Sequence, residues 1–467
     1  MTDLTLLAPE LVLVGMALAL LVIARRVKRV QSIAALVVVA AVGSVLAAWA
    51  FASRGAATAF GGTIAGDGFA RFFKFLFAAN LALTSLLSVR HLHSERLPTA
   101  EYFALLLLAS TGMMLAASAT DLLILYLGLE LMILCAYALV GITRESPISN
   151  EAAIKYFLLG SFASALLLYG IALVFGVTGA TDFATIASAV SERSLAQHPL
   201  MLVGLALVAG GLGFKIAAVP FHAWAPDVYQ GASAPVAAFL AGSKAASLAA
   251  LVRISLVAFA PELPIWSDIL LGLAVLSMVV GSLLAVSQSN VRRLLAYSSI
   301  AHAGYALLGL IPGTPEGASA TMTYAFVYSF MTLGAFGVVI ALGERGEDLV
   351  GYRGLAATAP GTAALMFLFL LSLTGIPPTA GFAAKFAVIL SAVRAGYIVL
   401  AVLAVACSVV SAFFYLRVAV LMYMTESQGS APRRLSAPVS AALAIAAVVT
   451  VLGGLFPETF VAWTVPP

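Results

Sequence analysis

Six ionisable side chains stand inside long apolar stretches of this 467-residue chain. Glu130 lies well inside L-Y-L-G-L-E-L-M-I-L, and Lys215 follows the glycines at 210, 211 and 213. Lys244 is central in the apolar stretch 234–258, His302 sits in L-A-Y-S-S-I-A-H-A-G-Y, and Lys385 follows the Pro377–Pro378 pair. Lys155 lies about a turn inside the stretch 152–177. An ionised group at the centre of a lone spanning helix costs at least about 2.5–3.5 kcal/mol, so such groups face one another or water inside a bundle. Burial disfavours a charged lysine and a nearby carboxylate favours it. A lysine held between those pulls exchanges its proton on a modest change of surroundings. Glu130 and Lys215 are expected to form such a pair, with Lys244 as a relay and Lys385 as the last stop. The imidazole of His302 suits a shuttle, since a histidine ordinarily titrates near pH ~6.5. The expected chemistry is proton transfer along a line through a membrane. A structural ion pair would account for any one of these residues; it accounts poorly for four lysines, a glutamate and a histidine on different helices.

The elements that must position them are membrane helices. The chain is 63% hydrophobic and only 9% charged, where soluble domains carry about a quarter charged residues. A span needs about 20 apolar residues. Such stretches recur along the whole chain, and no ten-residue dyad alternation marks a β-barrel. The reading is an all-α polytopic protein, one transmembrane domain over 1–467, with about 14 spans. These run 6–24, 32–52, 68–90, 100–118, 121–141, 152–177, 199–219, 234–258, 267–287, 293–311, 320–343, 361–393, 397–424 and 437–456. The stretch 361–393 is too long for one straight span and holds Pro377 and Pro378. Pro220 and the glycines before it predict a second broken helix, and unpaired backbone at membrane depth is tolerated only against protein or water. His222, just beyond that break, is a candidate for proton transfer or for an orienting hydrogen bond.

Loop charge sets the orientation. Arg25, Arg26, Lys28, Arg29, Arg90, Arg96, Arg144, Arg292, Arg293, Arg345, Arg353, Arg433 and Arg434 fall in loops of one side, and only Arg54, Arg193 and Arg394 in loops of the other. The positive-inside rule then places both termini outside, and the N-terminal charge order is the reverse of a secretory signal. The net charge of +4 belongs to these loops, so the implied partner is the lipid bilayer and not nucleic acid. Cys135 and Cys407 lie alone in apolar runs and read as core residues. No Walker A loop, dinucleotide fingerprint or cysteine cluster is present, so no bound cofactor or metal is expected. Arg253 and Arg417 are expected to snorkel or pair. Arg71 and Lys74 are expected at the interface, as are Trp49, Trp224, Trp266 and Trp463. Asp227 and Tyr229 are placed at the inner end of the broken helix. The loop 178–198 reads as an outer surface excursion. Lys215 and Lys385, each beside a proline break, are 170 residues apart, a spacing that hints at a repeat of five helices.

The stretch F-K-I-A-A-V-P-F-H-A-W-A-P-D-V-Y-Q-G-A-S-A-P-V from Phe214 resembles the signature of the antiporter-like subunits of respiratory complex I, which related cation/proton antiporters share. S-K-A-A at 243–246, E-A-A-I-K-Y-F-L-L-G-S-F-A-S-A at 151–165 and G-I-P-P-T-A-G-F-A-A-K-F at 375–386 resemble the N-type branch of that family. Lys385 supports this branch, because the M-type branch has glutamate there, and the L-type branch continues into a long lateral helix. The resemblance implies three initial helices (1–98), two inverted five-helix repeats containing broken helices (99–258 and 266–425) and a last helix (436–458). It implies proton-transfer roles for Glu130, Lys215, Lys244 and Lys385, and matches His222 and His302 to polar positions of the same axis. It further implies a subunit of a proton-translocating NADH:quinone oxidoreductase in the bacterial inner (plasma) membrane, with other membrane and peripheral subunits as partners, including homologous antiporter-like ones. NADH, FMN, iron–sulfur clusters and quinone would belong to those other subunits. The competing readings are an Mrp-type antiporter subunit and the membrane subunit of a ferredoxin- or hydrogenase-linked complex.

Overall fold

The computed structural model describes residues 3–23, 27, 29–50, 57–95, 97–427 and 435–467. Arg25, Arg26, Lys28, Arg54, Arg96, Arg433 and Arg434, used above for orientation, lie outside the described residues. The described chain is helical apart from a two-stranded ribbon, Thr58–Ala59 with Ile64–Ala65. The helices that build the bundle are α1 (Ala8–Ile23), α2 (Val30–Ala50), α3 (Gly68–Ser94), α4 (Thr99–Ser118), α5 (Leu122–Val140), α6 (Pro147–Thr178), α7 (Pro199–Ile216) and α8 (Trp224–Gly231). They continue as α9 (Ala234–Arg253), α10 (Leu263–Val286), α11 (Val291–Leu308), α12 (Pro315–Leu342), α13 (Pro360–Thr374), α14 (Ala380–Arg394), α15 (Ile398–Tyr423) and α16 (Ala437–Leu455). Among the described residues, 11 helices are long and apolar enough to cross a membrane, and α1 and α13 are shorter apolar helices. The stretch 361–393 divides into α13 and α14 around Pro377 and Pro378, and 199–231 into α7 and α8 around Pro220. The excursion 178–198 contains the helix Phe183–Arg193.

Burial separates a centre from a periphery. The apolar windows of α9 and α12 are 100% buried, against 39% for α2 and α15 and 33% for α16. A charge on α9 therefore cannot reach lipid and must be satisfied inside the protein. Small residues bring neighbouring helices together. A Cβ on Gly112 of α4 would lie 2.6 Å from the Gly128 carbonyl of α5, and one on Gly281 of α10 would lie 2.6 Å from the Ala301 nitrogen of α11. These contacts draw in the helices that carry Glu130 and His302.

Two expectations need correction. Lys74 is not interfacial: it is 4% exposed, its Nζ lies 2.8 Å from Glu10 Oε1, and it donates to the Leu6 carbonyl at 3.3 Å. Burial holds because the carboxylate of α1 supplies the countercharge. Trp224 and Trp266 are also buried. Their indole N–H groups donate to the Phe214 carbonyl (3.0 Å) and to Ser255 Oγ (2.7 Å), so they need no interfacial partner; Trp49 and Trp463 are exposed. Arg253 takes the second of its two expected arrangements: it is buried and paired with Asp67. Lys74→Met leaves the Glu10 carboxylate buried without its cation, which costs about 3–5 kcal/mol. Thermal melting should show that loss, with much of it recovered in Glu10→Gln/Lys74→Met; equal melting of all three proteins would show that the pair contributes nothing.

Candidate functional site: buried ionisable groups

The first break creates its own site. α7 ends at Ile216, and Ala217 takes a left-handed conformation, φ +59°. Ala218 N–H returns to the Gly213 carbonyl at 2.8 Å. Beyond it, Val219 N–H donates to Ser277 Oγ at 2.9 Å, and the Trp224 indole reaches back across the break to Phe214. Protein groups thus satisfy the backbone that the break releases. The glycines of α7 make room for Phe221, since a Cβ on Gly213 would stand 3.1 Å from that ring.

Lys215, in the last turn before the break, turns to α5 and α6. Its Nζ is 2.9 Å from Glu130 Oε1 and 2.9 Å from Ser164 Oγ, and Ser164 donates to the same carboxylate oxygen. The Lys215 side chain is fully buried, while that of Glu130 is 17% exposed. Three helices therefore meet in one hydrogen-bonded triad. Ser164 went unrecognised in the sequence, because a serine in an apolar helix ordinarily bonds its own i−4 carbonyl, as Ser110 does here.

The remaining groups are buried to the same degree, at 3–5% exposure. Lys244 of α9 donates to Ser299 Oγ of α11 at 2.6 Å and stands 5.5 Å from the centre of the Tyr229 ring. One turn along α11, His302 Nδ1 meets Tyr324 Oη at 2.6 Å and Nε2 meets Tyr415 Oη at 3.2 Å. Lys385 of α14 donates to the carbonyls of Leu373 (3.0 Å) and Thr374 (2.8 Å) and to Ser408 Oγ (3.2 Å). It also lies 4.6 Å from the centre of the Tyr305 ring. Its ammonium thus caps the carbonyl end of α13, where the helix dipole favours a cation. Among the described residues neither Lys244 nor Lys385 has a carboxylate within ion-pair distance. Lys215 has a carboxylate partner, whereas these two are held by hydroxyls, carbonyls and aromatic faces.

Two candidates are more exposed than these. His222 is half-buried beyond the break, and its Nδ1 has no hydrogen-bond partner among the described residues. Lys155 has a side chain 43% exposed. It bridges Glu151 (2.7 Å) and Asp227 (2.8 Å), and Asp227 also accepts from Arg293 at 2.7 Å. Asp227 is thus an ion-pair hub joining α6, α8 and α11. Exposed pairs of this kind are worth about 0–1 kcal/mol. Lys155→Ala should lower proton transfer by no more than about two-fold, measured as proton flux across a sealed membrane, since Arg293 still holds Asp227. A loss as deep as that from a buried lysine would move Lys155 from the margin to the centre of the pathway.

A family profile described as "NADH:quinone oxidoreductase/Mrp antiporter, TM" matches residues 119–411, from α5 into α15. The chain belongs to this family. Within the NADH:quinone oxidoreductase/Mrp antiporter family, the chain is 46% identical to NADH-quinone oxidoreductase subunit N of Desulfovibrio desulfuricans, over 99% of this chain and 96% of that relative. It is 43% identical to the subunit of the same name from Trichlorobacter lovleyi, over 98% of this chain and 95% of that one. Among solved structures, a chain of respiratory complex I from Thermus thermophilus is similar, at 33% identity and TM-score 0.83, covering 97% of this chain and 98% of that one. A chain of the Mrp complex from Dietzia shares the fold at TM-score 0.85 and 24% identity, covering 98% of this chain and 95% of that one.

Proposed function

We propose that this chain is the N-type antiporter-like membrane subunit of a bacterial NADH:quinone oxidoreductase and moves protons across the inner membrane. One observation carries the reading: near full-length similarity to relatives named subunit N coincides with ionisable groups buried inside the bundle. Glu130 and Lys215 act as the pair whose separation frees a proton and whose re-formation recaptures one. Lys244 relays, His302 shuttles, and Lys385 is the terminal station. His222 and Lys155 serve at the margins of the line. Electron transfer belongs to other subunits, which hold NADH, FMN, iron–sulfur clusters and quinone. Among the described residues no group of three or more His, Cys, Asp or Glu gathers as a metal site.

The same reading has 14 spans, counting α7–α8 and α13–α14 as one broken span each. Both termini are outside. Helices of 99–258 and 266–425 form two inverted repeats, after three helices in 1–98 and before a last one in 436–458. Two small bridges support the repeats. Asp121, which caps α5, pairs with Asp182, and Asn290, which caps α11, pairs with Asp348. Asn290 follows Asp121 by 169 residues, close to the 170 between the two break lysines. By span order one bridge lies outside and the other inside, as inversion requires. The higher identity to the complex I chain than to the Mrp chain favours the redox-linked assignment.

Purification in mild detergent tests the proposal. Flavin and iron–sulfur subunits with NADH:quinone activity should accompany the chain. A chain accompanied only by small membrane subunits, with sodium-dependent exchange, would replace this reading with an antiporter.

A further inference from the structure

We infer that Tyr324 and Tyr415 are positioning residues that make His302 a two-ended proton relay, an inference that rests on the proposed function. The imidazole is 3% exposed and the two tyrosines are 1% exposed each. They come from different helices, α12 and α15, and each takes one ring nitrogen. Tyr415 Oη is also hydrogen-bonded to Ser298 Oγ, back on α11 beside Ser299. Tyr328 covers the ring at 5.1 Å between centroids. The hydroxyl of Tyr305, the other nearby phenol, is committed to the Ala404 carbonyl at 3.0 Å.

A neutral imidazole has one donor and one acceptor nitrogen. With a phenol at each, one tyrosine donates to the ring and the other accepts from it. Tyr324, His302, Tyr415 and Ser298 therefore form one ordered line with two polarities. In one direction the Tyr324 proton moves to Nδ1, the Nε2 proton moves to Tyr415 Oη, and the Tyr415 proton moves to Ser298 Oγ. A proton arriving at Tyr324 Oη replaces the first, and Ser298 releases its own. One proton enters, one leaves, and no residue keeps a charge. The transfer inverts the line, so hydroxyl rotation and tautomer exchange must reset it before the next proton passes. Losing either phenol leaves a buried ring nitrogen without its partner and opens the line.

The test uses the assembled complex in proteoliposomes, with protons moved per electron as readout. Tyr324→Phe and Tyr415→Phe should each lower that yield by about two- to ten-fold, the equivalent of one hydrogen bond. The double variant should be no worse than the poorer single one. Nitrogen-15 resonances of labelled His302 should show a changed tautomer ratio in both. Fluorotyrosine at 415 keeps the ring in place while making the phenol more acidic, and should change the yield, as a purely structural tyrosine would not. Parental yields from both phenylalanine variants and from fluorotyrosine, with His302→Gln impaired, would overturn the relay and leave the proposed function intact. Parental yields from His302→Gln and Lys215→Met together would instead remove the proposed function.

Discussion

Lys215→Met is expected to lower protons moved per electron by at least about ten-fold while quinone chemistry elsewhere in the complex persists. The physical reason is the triad with Glu130 and Ser164. Removing the ammonium leaves a carboxylate among apolar helices with only one hydroxyl donor, and breaking a buried pair from one side costs about 3–5 kcal/mol. The pair would then neither form nor separate, so the proton it exchanges is lost from the cycle. Glu130→Gln/Lys215→Met should recover stability, because no unpaired charge remains, without recovering proton transfer. That split between melting temperature and pumping distinguishes a working pair from a scaffold. Parental pumping by Lys215→Met would identify the pair as structural.

Arg253→Ala is expected to produce the opposite split. Its guanidinium makes two bonds to Asp67, at 2.8 and 3.0 Å, and two to the Ala117 carbonyl, at 3.2 and 3.0 Å. It also lies 4.5 Å from the centre of the Phe69 ring. Asp67 in turn caps α3 by accepting from Ala70 N–H at 2.7 Å. One side chain thus ties the end of α9 to the start of α3 and the end of α4. Its removal should destabilise the subunit by about 3–5 kcal/mol, read as a lower melting temperature and less assembled complex. Protons moved per electron should be unchanged in the fraction that assembles. Arg253→Lys should recover only part of the stability, since an ammonium cannot reproduce the planar fork.

Asp67 adds a pH dependence to this clamp. Burial works to raise its pKa, and the hydrogen bonds and positive charge of Arg253 outweigh that, so the carboxyl is held below its ordinary value. A depressed folded-state pKa contributes stability that is present above the ordinary carboxylate pKa and is lost as pH falls through the folded value. Acid melting should therefore lose this contribution in the parental protein. It should be absent at every pH in Arg253→Ala. Unchanged melting with impaired proton transfer would move Arg253 from clamp to pathway.

Much of the architecture was legible because the bilayer imposes a simple rule: backbone groups must pair within a helix, and charges inside must have a reason. The apolar stretches predicted the helices closely. Pro220 and Pro377–Pro378 marked the two breaks, since proline cannot continue the hydrogen-bond ladder. Glu130, Lys215, Lys244, His302 and Lys385 were conspicuous as ionisable groups in apolar surroundings, and the structure buries or pairs all five. Burial of Lys74 was not visible, because its countercharge, Glu10, is distant in sequence and sits near a helix end, where charges are ordinarily solvated. Asp67 and Arg253 were hidden from each other for the same reason, being 186 residues apart.

The tertiary structure decided which groups touch. Hydroxyls carry most of that information: Ser164 joins the ion pair, Ser299 receives Lys244, and Tyr324 and Tyr415 hold His302. In sequence these are indistinguishable from the serines and tyrosines that bond their own helix or pack in the core, since a hydroxyl is tolerated in a membrane helix without a distant partner. The structure also set Lys155 outside the buried line, where the sequence had grouped it with the other lysines. The sequence alone determined a membrane bundle with broken helices and costly internal charges, because hydropathy and proline act locally. Only the fold decided that the carboxylate meets Lys215, that Lys385 is capped by helix carbonyls, and that the histidine lies between two phenols, because those contacts depend on how distant helices pack.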